Sequence, residues 1–395
     1  MSSPFAPGDA RPPAFGPGVP PAQAWVASPS PRAPATLGAA HARTRRLLGL
    51  VLWLAGMLLG VVLNLVIYGP VFHHAAAVFE VFKVALVAYI PVALYLFVPV
   101  VVDRYDPEPW WALAMAFGWG AVFATGVSSI VNSGFLELLG PNAAAVLSAP
   151  LFEEATKGAV VLGMFLFLRR EFDGVVDGVV YGAFAGIGFA ATENIQYYLT
   201  GSLRGHLDDM FVLRGILTPW VHPLFTAMTG VGVGLARERG EGVTVVLFPV
   251  LGYSGAVLLH AVWNGANTLL GAETMGDYLP VVAVGVALAL GFVAIVVSLA
   301  LRKGRILRRH LADEVVVGTI SDAELELICA PFARIRASRW PGGRAFARAG
   351  ARLAFTKWHA LRAERAGRET VSLDFIGPLR AELALLRATM RGRSP

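Results

Sequence analysis

Eight stretches of roughly 20 or more apolar residues shape this 395-residue chain, at about 47–68, 80–102, 110–132, 144–168, 175–199, 216–236, 243–270 and 277–301. Each is long enough to cross about 30 Å of hydrocarbon as a helix. A helix satisfies every backbone N–H and C=O within its own segment, so the expected fold is an all-α polytopic membrane protein of about eight transmembrane helices. Composition agrees, since 15% of the residues are charged and 56% hydrophobic, against about 25% charged in soluble domains. The single cysteine, Cys329, excludes an intrachain disulfide, and no CxxC pair offers a zinc or redox site.

Three regions follow from the pattern. Residues 1–42, rich in Pro, Ala and Gly ("SSPFAPGDARPPAFGPGVPPAQAW"), show no amphipathic period and read as a disordered tail. About forty residues precede the first span, which is longer than a signal-peptide core, so it is expected to stay as an anchor. Residues 43–302 form the eight-helix transmembrane domain, whose fifth to seventh spans carry glycines suited to close helix packing. Residues 303–395 form a basic, partly helical C-terminal segment, with Ser321 placed to cap "DAELELI". Its stretch "RAFARAGARLAFTKWHALRAERAGR" alternates arginine with Ala, Leu, Phe and Trp at helical spacing, and anionic lipid is the expected partner. No nucleic-acid module is recognisable, so no nucleic-acid partner is expected.

Orientation follows from the arginines. Arg43, Arg45, Arg46, Arg104, Arg169, Arg170, Arg237, Arg239 and "RKGRILRR" fall on one side of an eight-span chain, with Arg204 and Arg214 on the other. Both termini are therefore expected in the cytoplasm, with the chain in the cell membrane.

The fourth span breaks the apolar rule. "LFEEATKGAVVLGMFLFLRR", 151–170, holds Glu153, Glu154 and Lys157, although a charge at the bilayer centre costs about 2.5 to 3.5 kcal/mol. Span five adds Glu193 and Asn194, span six His222, and span seven His260, Asn264 and Asn267. At 1.5 Å per residue, Glu153 and Glu154 lie roughly 14 Å below the outer boundary. Glu193 and His222 lie about six residues deep and His260 about ten, so four helices deliver ionisable groups to one outer layer. Glu153 and Lys157, Phe189 and Glu193, and His260 and Asn264 each share a helix face at i, i+4. Carboxylates to deprotonate a water, histidines to shuttle a proton and an amide to steady an oxyanion make a hydrolase's inventory.

These residues also carry a resemblance. EExxK ("EEATK", 153–157), FxxxE ("FAATE", 189–193) and HxxxN ("HAVWN", 260–264), with "DRYDPEPWW" at 103–111, resemble the PrsW family. That family is distantly similar to the CAAX prenyl proteases, whose motifs are EExxxR, FxxxH and HxxxN. The resemblance covers about 100–270 and implies a glutamate-based intramembrane endopeptidase. Its implied substrate is a single-pass membrane protein such as an anti-sigma factor, cut near its extracytoplasmic juxtamembrane region. It implies that Glu153 and Glu154 contain the general base, that Glu193 with His222 or His260 positions the water, and that Asn264 serves the oxyanion. Lys157 and Phe189 support them. Because Glu193 stands where the CAAX enzymes have histidine, prenylated substrates do not carry over.

Rival chemistries fit less well. "GYSG", 252–255, is similar to a rhomboid motif with Ser254 as nucleophile, but His260 lies about 240° around the same helix. No HExxH is present, and no cofactor is expected, although Glu and His ligands from separate helices leave a metal open. The alternative is a transporter or scaffold with a buried polar layer. A transport path needs polar residues through its full depth, whereas the inner halves of spans four, six and seven are almost wholly apolar.

Overall fold

The computed structural model describes residues 35–102, 107–169, 171–239, 241–270, 279–330, 333–365, 367 and 372–391. Residues 1–34, most of the expected tail, lie outside these, as do residues 103–106 of "DRYDPEPWW" and Arg170. Every regular element among the described residues is helical. They divide into two compact units, one of residues 35–102 and 108–296, the other beginning at 297.

The first unit opens with α1 (Ala35–Tyr68), so residues 35–42, expected in the extended tail, are helical. There follow α2 (Ala75–Tyr89), α3 (Val92–Val102), α4 (Trp110–Gly118), α5 (Thr125–Ala143), α6 (Ala149–Phe167), α7 (Val175–Leu203), α8 (Leu207–Phe211), α9 (Val221–Arg239) and α10 (Thr244–Leu270). Among the described residues, six segments are long and apolar enough to cross a membrane, rather than the expected eight. The protein is a multi-pass membrane protein. Two features account for the lower count.

One segment, Trp110–Phe167, runs through α4, α5 and α6. Yet Asn132 Nδ2 lies 3.1 Å from Glu153 Oε1, whereas the intervening residues in unbroken helix would span about 30 Å. The chain turns back at Gly140, whose φ of 80° leaves the helical region, beside Pro141. The second feature is α9, where His222, two threonines and the closing Arg237, Glu238 and Arg239 dilute the apolar residues. α9 nevertheless packs extensively against α7 and α10.

Small residues make the α7–α9 contact close. Gly178, Gly182 and Gly186 repeat every fourth residue on α7. A Cβ at these positions would lie 2.1 Å from the Gly230 carbonyl oxygen, 2.7 Å from that of Thr226 and 2.6 Å from that of His222. The two backbones therefore touch, as small-xxx-small faces permit. The register also pins the His222 backbone against the middle of α7.

The second unit takes the end of α11 (Leu279–Val316), then α12 (Asp322–Cys329), α13 (Ala333–Ala337), α14 (Gly343–Arg365) and α15 (Ser372–Arg391). α11 runs through the expected boundary at 302/303 without a break. Ser321 caps α12 as its sequence predicts, accepting from the Glu324 amide at 3.3 Å while Glu324 accepts from the Ser321 amide at 2.6 Å. Leu307, Leu311, Ile328, Phe346, Leu353, Ile376 and Leu383 form a core of the unit's own. The apolar face of α14 packs inside that core. Its arginine face, with Arg344, Arg348 and Arg352, is exposed.

Candidate active site

The site begins with α6, where EExxK puts Glu153, Glu154 and Lys157 within one turn of helix and all three are buried. A buried lysine must be compensated. Lys157 Nζ lies 2.6 Å from Glu154 Oε1 and 3.6 Å from Glu153 Oε2. It also meets His222 Nδ1 at 3.0 Å and stands 4.2 Å from the centre of the Phe189 ring, so Phe189 forms a wall of the ammonium pocket.

The two glutamates have different surroundings. Glu154 is fully engaged: Thr226 Oγ1 donates to its Oε2 at 3.1 Å, and His260 Nδ1 meets its Oε1 at 3.0 Å, beside the lysine. Glu153 Oε1 accepts from Asn132 Nδ2 at 3.1 Å, and Asn132 is itself held by Ser148 at 2.7 Å. Glu153 Oε2 has no hydrogen-bond partner. Among the described residues it is the one buried carboxylate oxygen in that condition.

The network assigns the histidine tautomers. An ammonium has no lone pair, so Lys157 donates to His222 Nδ1, and His222 Nε2–H donates to Glu193 Oε2 at 3.0 Å. Ionised Glu154 accepts from His260 Nδ1–H, which leaves a lone pair on His260 Nε2. That nitrogen lies 3.9 Å from Glu153 Oε2. Two lone-pair atoms thus face each other across a gap that calls for a proton donor or a cation. A water set to one side of that line would bond both.

Glu193 reaches the cluster through His222. Its Oε2 also accepts from Arg214, whose Nε donates to Asn194 Oδ1 at 2.7 Å and whose guanidinium lies 3.6 Å from the centre of the Tyr197 ring. Arg214 sits on a π-helical turn, Val212–Leu217, ahead of α9. Asn264 stands one turn beyond His260 and donates to the Ala145 carbonyl at 2.8 Å, giving no contact to the carboxylates. The structure therefore brings Glu153, Glu154, Lys157, Glu193, His222, His260 and Phe189 into one contact network and leaves Asn264 at its edge. Sequence reasoning missed Asn132, Thr226 and Arg214. The first two are ordinary polar residues of their helices, and Arg214 entered the topology argument alone.

Glu153, His222 and His260 also form a group that could hold a metal ion, with one ligand atom from each within 4.8 Å of the others. Two histidines and a glutamate are a known donor set for catalytic zinc. Glu153 Oε2 and His260 Nε2 have lone pairs to give, and the Glu154 contact behind His260 is the outer-shell bond such ligands usually have. His222 joins the set by giving up Lys157 or Glu193.

Comparison with known proteins adds a lineage. Residues 108–301, a stretch that holds every site residue named above, match the family described as PrsW family intramembrane metalloprotease. This stretch is similar to the PrsW family. The relatives named Protease PrsW include one from Geobacillus kaustophilus, 33% identical over 34% of this chain and 58% of its own length. Another, from Bacillus subtilis, is 30% identical over 36% of this chain and 64% of its own. A third, from Clostridioides difficile, is 26% identical over 45% and 76%. The chain thus spans less than two thirds of the first two PrsW relatives. No solved structure matches the chain.

Proposed function

We propose that the membrane unit is an intramembrane endopeptidase in which Glu153 activates a water. Its substrate would be a single-pass membrane protein, with an anti-sigma factor the class the PrsW resemblance implies, cut near its extracytoplasmic juxtamembrane region. The observation that carries this reading is the facing pair of Glu153 Oε2 and His260 Nε2, 3.9 Å apart on buried side chains, the first without a hydrogen-bond partner.

In this mechanism a water held by that pair attacks the scissile carbonyl as Glu153 Oε2 takes its proton. His260 Nε2 accepts the water's second hydrogen bond, and Glu154 holds the imidazole in that tautomer through Nδ1–H. As the C–N bond breaks, the proton on Glu153 passes to the leaving amine. Lys157 keeps Glu154 ionised and stays close enough to balance charge at Glu153. Glu193, held by Arg214, orients His222. The second N–H of Asn264 is the donor proposed for the oxyanion. A divalent ion held by Glu153, His222 and His260 would supply Lewis acidity and a more acidic bound water.

The rest of the reading concerns placement. The arginine distribution supports the cell membrane with both termini cytoplasmic and the site opening outward. The exposed Arg344, Arg348 and Arg352 of α14 are the groups proposed to meet anionic lipid.

The test compares protein N-termini in membranes expressing the native chain or the Glu153→Gln/Glu154→Gln double variant at matched levels. Termini found with the native chain alone, mapping just outside a single-pass helix, are expected. Identical profiles from two folded proteins would return the cluster to a transport or scaffold role.

A further inference from the structure

A cavity lies away from the catalytic cluster, on the face shared by α1, α4 and α6. Its volume is about 310 Å³, within the range of small-molecule sites. Trp53, Trp111, Met115, Trp119, Met164 and Phe167 are among its lining residues. Two of the indole N–H groups are spent inside the protein, Trp53 on the Met115 carbonyl at 3.2 Å and Trp119 on the Thr156 carbonyl at 2.9 Å. Their rings therefore offer apolar surface. From Arg46 to Trp53 the groove follows α1 for about 10 Å at 1.5 Å per residue.

One end of the groove is cationic. Arg46 lines it and lies 5.4 Å from the centre of the Trp111 ring. Arg45 and Arg169 are exposed nearby, and burial together with the charges of Arg45 and Arg237 lowers the Arg169 pKa. An apolar trough with arginines gathered at its mouth complements one chemical class, a molecule with a long hydrocarbon chain and an anionic head.

We infer that this groove is a binding site for one anionic glycerophospholipid, with an acyl chain along the tryptophan wall and the phosphate at Arg45, Arg46 and Arg169. The inference is independent of the protease reading. It concerns a different face, and its readout is bound lipid, not cleavage.

Gly163 supplies the sharpest test. It lines the groove, and a Cβ placed on it meets nothing within 4 Å, so Gly163→Leu fills the trough without disturbing the packing. The full chain, purified in mild detergent, is titrated with dioleoyl phosphatidylglycerol or dioleoyl phosphatidylcholine, and bound lipid is counted by native mass spectrometry. The native chain is expected to retain one phosphatidylglycerol in preference to phosphatidylcholine. Gly163→Leu should lose that lipid, and Arg45→Gln/Arg46→Gln should weaken it roughly thirty-fold, as two surface arginines contribute to anionic-lipid attraction. Equal retention of the two lipids would overturn the proposal. So would retention unaffected by Gly163→Leu, which would put the lipid on the surface arginines alone. Retention of detergent in place of lipid, with no dependence on the arginines, would also overturn it.

Discussion

The two units contain the same local device and use it differently. In the membrane unit Lys157 is buried against the adjacent acids Glu153 and Glu154; in the C-terminal unit Lys357 is buried against Asp313 and Glu314. In the second case every oxygen is satisfied. Lys357 donates to both oxygens of Asp313 at 2.5 Å and to Glu314 at 2.9 Å, and Arg380 grips both Glu314 oxygens at 2.7 to 3.1 Å. In the first case Glu153 Oε2 is left open, and titratable histidines stand around the lysine where the C-terminal network has an arginine clamp. A buried lysine beside two acids is thus not itself a sign of chemistry. The sign is an acceptor without a donor, facing a second acceptor, in a place where desolvation makes that arrangement costly.

The comparison breaks most sharply at the two open or closed oxygens. Glu153→Gln is expected to lower cleavage by about 10² to 10⁴, the range of a general base, or more if a metal ligand goes with it. The same change should move the thermal midpoint little, because Oε2 accepts no hydrogen bond and Lys157, 3.6 Å away, keeps the closer Glu154 at 2.6 Å. Glu314→Ala should do the reverse, destabilising the C-terminal unit by up to about 3 to 5 kcal/mol, because Arg380 loses its partner and Lys357 keeps only Asp313. Thermal unfolding of the full chain with limited proteolysis after Val296 would show it.

Arg214 sharpens the membrane side. Arg214→Gln frees Glu193 and loosens His222, with an expected loss of about 10- to 100-fold, the usual scale for an outer-shell partner. Arg214→Lys should recover part of the loss and shift the pH profile of cleavage, which a purely structural residue would not. The smallest effect lies at Cys329, where burial pushes the thiol up to about 12 from its ordinary value of 9.0. A maleimide should therefore ignore it in the folded chain at neutral pH and label it on unfolding. Because the folded pKa is raised, this stabilising contribution is fully present below pH 9.0 and is lost as pH climbs towards about 12.

How much of this was legible in the sequence depends on the range of the interaction. The helices were, because a run of apolar residues is a local signal; six described segments meet the length and hydropathy of a span rather than eight, because polarity is concentrated in α9 and the Gly140 hinge lies within one apolar run. Residues on the three motifs and His222 could be picked out because ionisable groups in hydrocarbon are rare. Asn132 and Thr226 could not, since nothing in their own segments shows which carboxylate they will touch. Arg214 looked like a loop charge until the π-helical turn pointed it at Glu193. The C-terminal segment shows a related limit. An amphipathic helix reports that one face will be covered, but not by what, and here the cover is the unit's own core.

The central claim is that Glu153 and Glu154, neighbours in sequence, differ in kind: one reacts and the other holds. The measurement that tests it most directly is a side-by-side comparison of the single variants Glu153→Gln and Glu154→Gln for thermal midpoint and for native-only N-termini. Glu153→Gln is predicted to keep the native midpoint and lose every such terminus, while Glu154→Gln lowers the midpoint, having lost the charge that compensates Lys157 and anchors His260. A Glu153→Gln protein that still cleaves, or one that melts early while Glu154→Gln does not, would contradict it.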